Sequence, residues 1–266
     1  MPYRVSALRT DAPGVLIISG LDPSGGAGFI ADVRTASWLG CRPVGAVTAL
    51  TEQNTVGVVA ANAADPETVA GQLSTLLTDV EVAAVKIGML GSAAVAEVVA
   101  DALSLTGAPV VWDPVLAPTR GGVLLYAGDP LRAMDILSTH LALITPNAHE
   151  AAALTGLDVT DAASAAVAGR ALAVRCRSAV LVKGGHLDDD EATDVLVNGN
   201  DVTYLSGPRR DLASSVHGTG CALSTAIASY LALGRSLVDA CAAAKAFVAE
   251  RLAAPVTPGR GAGAVL

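Results

Sequence analysis

His217-Gly218-Thr219-Gly220-Cys221 stands directly before an alanine-rich stretch that reads as a helix. Small residues at a helix start leave backbone N–H groups free to face an anion, and the helix dipole favours negative charge there. Such a pocket would stabilise charge moving onto a transferring phosphoryl group. Cys221 falls in the first turn, where the dipole lowers a thiol pKa. A thiolate there could take a proton from a substrate hydroxyl. The competing reading is a small buried cysteine opening an internal helix; the Gly-Thr-Gly neighbours favour the anion pocket.

Two further groups carry chemistry. Gly20-Leu21-Asp22-Pro23-Ser24-Gly25-Gly26-Ala27-Gly28 follows a strand and opens a helix, so its glycines could bring backbone amides close to a ligand. It lacks the G-x-x-x-x-G-K-[ST] order of a Walker phosphate loop. Asp113, Asn147 with Glu150, and Lys183 each follow an apolar strand. Oxygen ligands of this kind suit magnesium held by one or two carboxylates, water and phosphate, and a lysine can meet phosphate as a point charge. Asn147 and Glu150 have an equally good structural reading as a capping box. Lys183-Gly184-Gly185-His186 is harder to explain by stability alone. His140 and His149 read as surface residues, Cys41, Cys176 and Cys241 as core fillers, and Asp188-Asp189-Asp190-Glu191 as a solvated turn.

The elements that must hold these groups alternate. Residues 15–19, 44–50, 55–60, 83–87, 110–112, 141–144 and 179–182 read as strands. Residues 27–39, 66–77, 131–137 and 161–175 read as helices, with others beginning at Ser92 (to about 105) and Asn147. Residues 116–126 read as a mobile loop. A hairpin is expected around Asn198-Gly199, pairing 194–197 with 202–205. Helices over 221–233 and 237–252 follow. This alternation predicts an α/β chain with a mostly parallel sheet covered on both faces. Ligands of such sheets bind beyond the carboxyl ends of the strands, where the polar outliers fall. No repeat or linker divides the 266 residues, so one domain is expected, with 1–13 a loose N-terminal segment.

Composition removes other classes. A formal charge of −8 argues against nucleic acid, which is bound through Lys and Arg. Aromatic residues, at 3%, are too few for base-stacking platforms. The only lysines are Lys86, Lys183 and Lys245, so each is a candidate for a specific task. The four cysteines form no C-x-x-C pair, which fits reduced thiols in a cytoplasmic protein. The opening residues show no basic stretch followed by an apolar one, so no signal peptide is expected. The uncharged run 212–234 is long enough to span a bilayer. It holds His217 and the Gly-Thr-Gly turn and reads as a loop plus a buried helix, so no membrane association is expected.

Taken together, SGLDPSGGAGFIAD, TALTEQNT, KIGML, WDPV, LITPNAHEAA, LVKGGH and HGTGCALS resemble the hydroxymethylpyrimidine/phosphomethylpyrimidine kinases of thiamine biosynthesis, within the ribokinase-like superfamily. The resemblance runs from about residue 15 to 253. It implies a three-layer α/β/α ribokinase-like fold and ATP with Mg2+. It also implies phosphorylation of 4-amino-5-hydroxymethyl-2-methylpyrimidine, and then of its monophosphate to the diphosphate. Carried over, Gly20, Asp32, Gln53 and Met89 would hold the pyrimidine; Gly218, Thr219 and Gly220 would form the anion hole with Cys221 as base. Lys183, Asn147 and Glu150 would meet the nucleotide phosphates, and Asp113 with Glu150 the metal. The adenine would lie near Lys245. A homodimer is also implied. The chain departs from many relatives at Ala117-Pro118-Thr119-Arg120-Gly121, where those relatives carry a lysine after Asp-Pro-Val. This loop is expected to be a flap over the substrate, in which either Arg120 substitutes for that lysine or the loop contributes less to phosphate neutralisation. The short stretch after the last helix leaves no expectation of a fused second domain. The rival readings are a pyridoxine or pyridoxal kinase, whose substrate also carries a hydroxymethyl group, and a non-catalytic nucleotide or pyrimidine sensor.

Overall fold

The computed structural model describes residues 11–116, 123, 125–185, 191–208 and 216–265. Arg120 and the proposed flap, His186 and the acidic run 188–190 lie outside the described residues, as do residues 1–10 of the N-terminal segment.

In chain order the elements are β1 (Gly14–Leu21), α1 (Gly28–Trp38), β2 (Arg42–Gln53), β3 (Val58–Ala63), α2 (Pro66–Leu77), β4 (Ala84–Ile87), β5 (Gly91–Ser92) and α3 (Ala93–Leu103). Next come β6 (Val110–Trp112), β7 (Tyr126–Ala127), α4 (Pro130–Leu137), β8 (Leu141–Ile144), α5 (Ala148–Thr155), α6 (Ala162–Cys176) and β9 (Ala179–Val182). The chain continues with β10 (Asp194–Asn198), β11 (Asp201–Leu205), β12 (Val216–His217), α7 (Thr219–Ala232), α8 (Leu237–Leu252) and β13 (Gly263–Ala264).

Side-chain caps set several helix starts where the sequence placed them. Asp65, Ser92, Asn147 and Asp161 each accept a hydrogen bond from an amide in the first turn of the helix they precede. The two strands expected over 44–50 and 55–60 are longer or shifted, and Asn54 is the reason. Its side chain accepts from the amides of Val56 and Gly57, building a turn that delays β3 to Val58.

The main sheet runs β11-β10-β9-β8-β6-β4-β1-β2-β3. Its central strands, from β9 to β2, pair in parallel. Antiparallel strands close both edges, the predicted hairpin β10–β11 on one side and β3 on the other. Alternation along β1 divides the core. Leu16 and Ile18 join a cluster that includes Leu73 of α2, Val95 and Val99 of α3, Met134 of α4 and Leu172 of α6. Val15 and Ile17 join an opposite cluster with Ala36 of α1, Ala226 and Ile227 of α7, and Ala240 and Phe247 of α8. This is the expected three-layer α/β/α arrangement, in which a strand buried on both faces must be apolar throughout. Strand order reverses beside β1, which has β2 on one side and β4 on the other. Ligand crevices of open parallel sheets form at such a reversal, beyond the carboxyl ends of the strands.

Two pairings have no local signal in the sequence. Gly91–Ser92 pairs with Tyr126–Ala127, and Val216–His217 pairs with Gly263–Ala264. The second brings the C-terminal segment back against the residues that precede α7.

Leu73 is fully buried where α2 packs on the sheet. Leu73→Ala is expected to lower unfolding stability by about 2–5 kcal/mol through lost transfer energy and the remaining void. Urea denaturation measures this, and a change under about 1 kcal/mol would mean that α2 repacks freely.

Candidate active site

The sites named from the sequence meet at one cavity of about 740 Å³ beyond the strand ends, within the range of small-molecule sites. Gly20, Gln53, Met89, Asp113, Asn147, Glu150, Lys183 and the whole turn 217–221 line it. Asp32 does not.

The glycine-rich turn after β1 is built around Asp22. Its carboxylate accepts from the backbone amides of Ser24 at 2.8 Å and Ala27 at 3.1 Å. Those amides are therefore committed internally, and the expected cradle of free amides is not what this turn supplies. Gly28 is required for another reason: it has φ +59°, and a Cβ there would stand 2.3 Å from the Gly20 carbonyl oxygen. Burial would raise the Asp22 pKa, but hydrogen bonds from His217 and Ser24 outweigh it and hold the group below the ordinary carboxylate range.

The second turn behaves differently. Gly218 sits at φ +82°, and a Cβ there would lie 1.9 Å from the Gly26 carbonyl oxygen, so the two loops are in backbone contact. Among the described residues no side chain caps α7. Its first-turn positions, Thr219, Gly220 and Cys221, line the cavity, and first-turn amides, which have no partner within their own helix, suit an anion. A Cβ on Gly220 would be 3.2 Å from Lys183 Nζ and 3.3 Å from Asp113 Oδ2.

That contact places the anion turn against the charges at the strand ends. Lys183 Nζ lies 2.6 Å from Asp113 Oδ1 and 3.8 Å from Glu150 Oε2. Thr145 donates to Asp113 Oδ1 at 3.2 Å. Glu150 and Asn147 form the capping box: Asn147 Oδ1 accepts from the Glu150 amide at 2.9 Å, and Glu150 Oε2 from the Asn147 amide at 2.7 Å. The structural reading of this pair therefore holds, and the cap also aims a carboxylate into the cavity. Burial raises the Glu150 pKa to about 7, with Lys183 opposing and Asp113 reinforcing. Lys183, which burial alone would lower, is held well above its ordinary value by Asp113 and Glu150. Among the described residues no three His, Cys, Asp or Glu side chains gather as a self-sufficient metal site. Two carboxylates short of cationic partners fit a magnesium ion whose shell is completed by phosphate and water.

Asp32 corrects the sequence reading. It is fully buried on α1, and both carboxylate oxygens are occupied: Oδ2 by Ser19 at 2.8 Å and Lys86 at 2.6 Å, Oδ1 by Thr225 at 2.7 Å. In this arrangement it has no edge to offer a pyrimidine. Its partner Lys86, fully buried on β4, reaches the cavity instead. Burial would lower the Lys86 pKa; Asp32, Cys221 and Asp113 outweigh burial and raise it. The signal was present in the sequence, as a lysine inside the apolar run Ala83-Ala84-Val85-Lys86-Ile87 of a chain with three lysines. Two other contacts went unread: His217 touches Gln53, and Lys245 pairs with Asp194 at 2.9 Å. Lys245 does line the cavity, beside the apolar residues Leu205, Ala246 and Ala249.

Cys221 is also corrected. Burial pushes its thiol up to about 11; Lys86 pulls down, while Asp32 and Asp113 push further up. The helix start that was expected to lower it is outweighed by desolvation.

The fold and this cavity define a ribokinase-like phosphotransferase arrangement, and comparison with known proteins agrees. Residues 22–266 match the model of the phosphomethylpyrimidine kinase family. The hydroxymethylpyrimidine/phosphomethylpyrimidine kinase of Rhizobium meliloti is 40% identical over 240 residues, covering 90% of each chain. The structure of a phosphomethylpyrimidine kinase from Clostridium difficile superposes with a TM-score of 0.77 at 32% identity, covering 91% of this chain and 99% of that one. A pyridoxal kinase from Staphylococcus aureus in complex with ADP gives 0.87 at 28% identity, covering 96% and 93%. The chain belongs to the phosphomethylpyrimidine kinase family.

With its thiol at about 11, Cys221 holds a thiolate in on the order of one molecule in a thousand at pH 8. Iodoacetamide labelling of Cys221, followed by peptide mass spectrometry, is expected to be slow at pH 8 and to climb through pH 10. A rate already level at pH 8 would contradict it.

Proposed function

We propose that this chain transfers the γ-phosphoryl group of ATP to the hydroxymethyl group of 4-amino-5-hydroxymethyl-2-methylpyrimidine, and then a second phosphoryl group to the resulting monophosphate. The observation that carries the reading is the turn 217–221. At one end His217 touches Gln53, and at the other Gly220 packs against Lys183 and Asp113. A substrate alcohol near Gln53 and Met89 and a triphosphate at the strand ends would therefore meet over the first-turn amides of α7.

In the transfer, the hydroxymethyl oxygen forms a bond to the γ-phosphorus. The bond from that phosphorus to the β–γ bridging oxygen breaks, and the bridging oxygen leaves on ADP. The hydroxyl proton goes to the Cys221 sulfur in its minor thiolate form, which the Lys86 charge stabilises against the burial that keeps the thiol protonated. The amides of the turn and the Lys183 ammonium face the charge that develops on the transferring group. Asp113 and Glu150 would hold magnesium, which neutralises phosphate charge when bound. The apolar shelf by Lys245 suits the adenine.

ATP as donor draws support from the ADP and AMP-PCP complexes of the Staphylococcus aureus pyridoxal kinase. A cytoplasmic setting fits the reduced cysteines, and among the described residues no helix is long and apolar enough to cross a membrane. A homodimer is supported by Leu50 and Val59, exposed large hydrophobic residues on β2 and on the edge strand β3 that it pairs with.

The likeness to pyridoxal kinases favours a second reading, phosphorylation of pyridoxal or pyridoxine. Turnover on the pyridine and pyrimidine alcohols separates them, and only the first reading requires phosphorylation of the pyrimidine monophosphate. The test is product analysis with ATP, Mg2+ and the pyrimidine alcohol, with monophosphate and then diphosphate expected in turn. A chain that binds these ligands but never consumes ATP would be a sensor. Cys221→Ala is expected to cut turnover at least about a hundredfold, the usual scale for loss of a general base, with an unchanged melting temperature. Near-full turnover in that variant would remove Cys221 from the mechanism.

A further inference from the structure

Gln53 and His217 are 164 positions apart in the chain, yet Nε2 of one lies 3.1 Å from Nε2 of the other. The same histidine nitrogen is 3.4 Å from Asp22 Oδ2. Thr51 Oγ1 stands 3.2 Å from Gln53 Oε1 and 3.0 Å from the Leu21 carbonyl oxygen. The backbone of His217 is pinned by its pairing with Ala264, and the ring lies over Gly26, 3.3 Å from where a Cβ would be.

The donor and acceptor bookkeeping of this cluster is restrictive. An amide nitrogen only donates, so Gln53 Nε2 needs a lone pair on the histidine nitrogen. The Asp22 carboxylate only accepts, so it needs a proton on that same nitrogen. One tautomer cannot serve both. With the ring proton on Nδ1, Gln53 keeps its nitrogen toward His217 and its oxygen toward the Thr51 hydroxyl, whose one hydrogen then goes to Gln53 and not to the Leu21 carbonyl. With the proton on Nε2, the ring donates to Asp22, and Gln53 must turn its oxygen toward the ring. The state of His217 therefore selects which edge Gln53 shows to the cavity. Both Gln53 and His217 line that cavity.

We propose that His217, braced by Asp22, is a positioning residue that orients the Gln53 amide and so sets preference for an aminopyrimidine over a pyridine alcohol. This rests on the pyrimidine kinase reading. An aminopyrimidine offers an exocyclic amine beside a ring nitrogen, a donor next to an acceptor, and an amide held one way round matches that pair. Pyridoxal has no amine beside its ring nitrogen, so a correctly turned amide gives it no matching advantage. A site that hydrogen-bonds a substrate group rejects analogues lacking that group far more strongly than a hydrophobic pocket does.

The test is steady-state kinetics on both alcohols with Q53A, H217A, H217Q and the double variant Q53A/H217A. Wild-type turnover of the pyrimidine alcohol is measured first; its absence would overturn the functional reading and this proposal with it. With the wild type active, H217A is expected to raise KM for the pyrimidine alcohol about tenfold or more while kcat stays within about threefold. Pyridoxal kinetics should change little. Glutamine reaches the Nε2 position, so H217Q should recover most of the loss. Because His217 acts through Gln53, the double variant should be no worse than Q53A alone. Multiplicative losses, or equal losses on both alcohols, would overturn the proposal and leave the function standing. Should H217A fail to fold, H217N serves in its place: its amide reaches the Nδ1 position, and the same contrast with H217Q is expected.

Discussion

The ion pair between Lys86 and Asp32 lies wholly out of water, and the active end of the molecule is assembled around it. Asp32 comes from α1, Lys86 from β4, Ser19 from β1 and Thr225 from α7, so a single carboxylate joins four elements. Burying two charges is costly, and the arrangement holds because both oxygens of the acid are satisfied. Removing either partner would strand the other charge, a loss typically of about 3–5 kcal/mol. Thr225 lies one turn beyond Cys221 on α7, so the pair also fixes how the start of that helix presents itself to the cavity. Even the neighbouring glycine serves this arrangement: a Cβ on Gly88 would stand 2.6 Å from the lysine nitrogen.

The electrostatics are economical. A chain with a net charge of −8 must receive a polyanion. It concentrates positive character where it is needed: a lysine shared by two acids, a helix start that no side chain caps among the described residues, and a second lysine behind the cysteine. Glu150, with a pKa raised to about 7, carries a proton for part of the time near neutrality. The thiol is tuned for the same setting. Desolvation keeps it protonated, whereas a standing thiolate would be open to side reactions.

Much of the architecture was legible, for local reasons. The caps Asp65, Ser92, Asn147 and Asp161 announce their helices, and the apolar triplets and quartets of the central strands stand out because both of their faces are buried. The carboxyl-end rule located Asp113, Asn147, Glu150 and Lys183 in the cavity. What escaped depends on partners far away in the chain. Asp32 looks like a polar position on a helix, and nothing nearby reveals that Lys86 and Thr225 saturate it. The Gly20–Gly28 turn has the look of an anion cradle, but Asp22 occupies its amides. The expected low pKa of Cys221 followed from its helix position, whereas the depth of the cavity decides the outcome. The pairing of Val216–His217 with Gly263–Ala264 has no sequence signature, because two-residue strands carry no periodicity.

The separations of these contacts bear on how the molecule responds to what it binds. Gln53 meets His217 across 164 positions, Asp32 meets Thr225 across 193, and Gly261 meets Thr55 across 206. The residues that line the cavity run from Gly20 to Leu252, so a half-folded intermediate lacks part of the wall that grips a small molecule. Ligand therefore acts on the whole folding equilibrium at once, adding its full binding free energy to the finished state and none to partial ones.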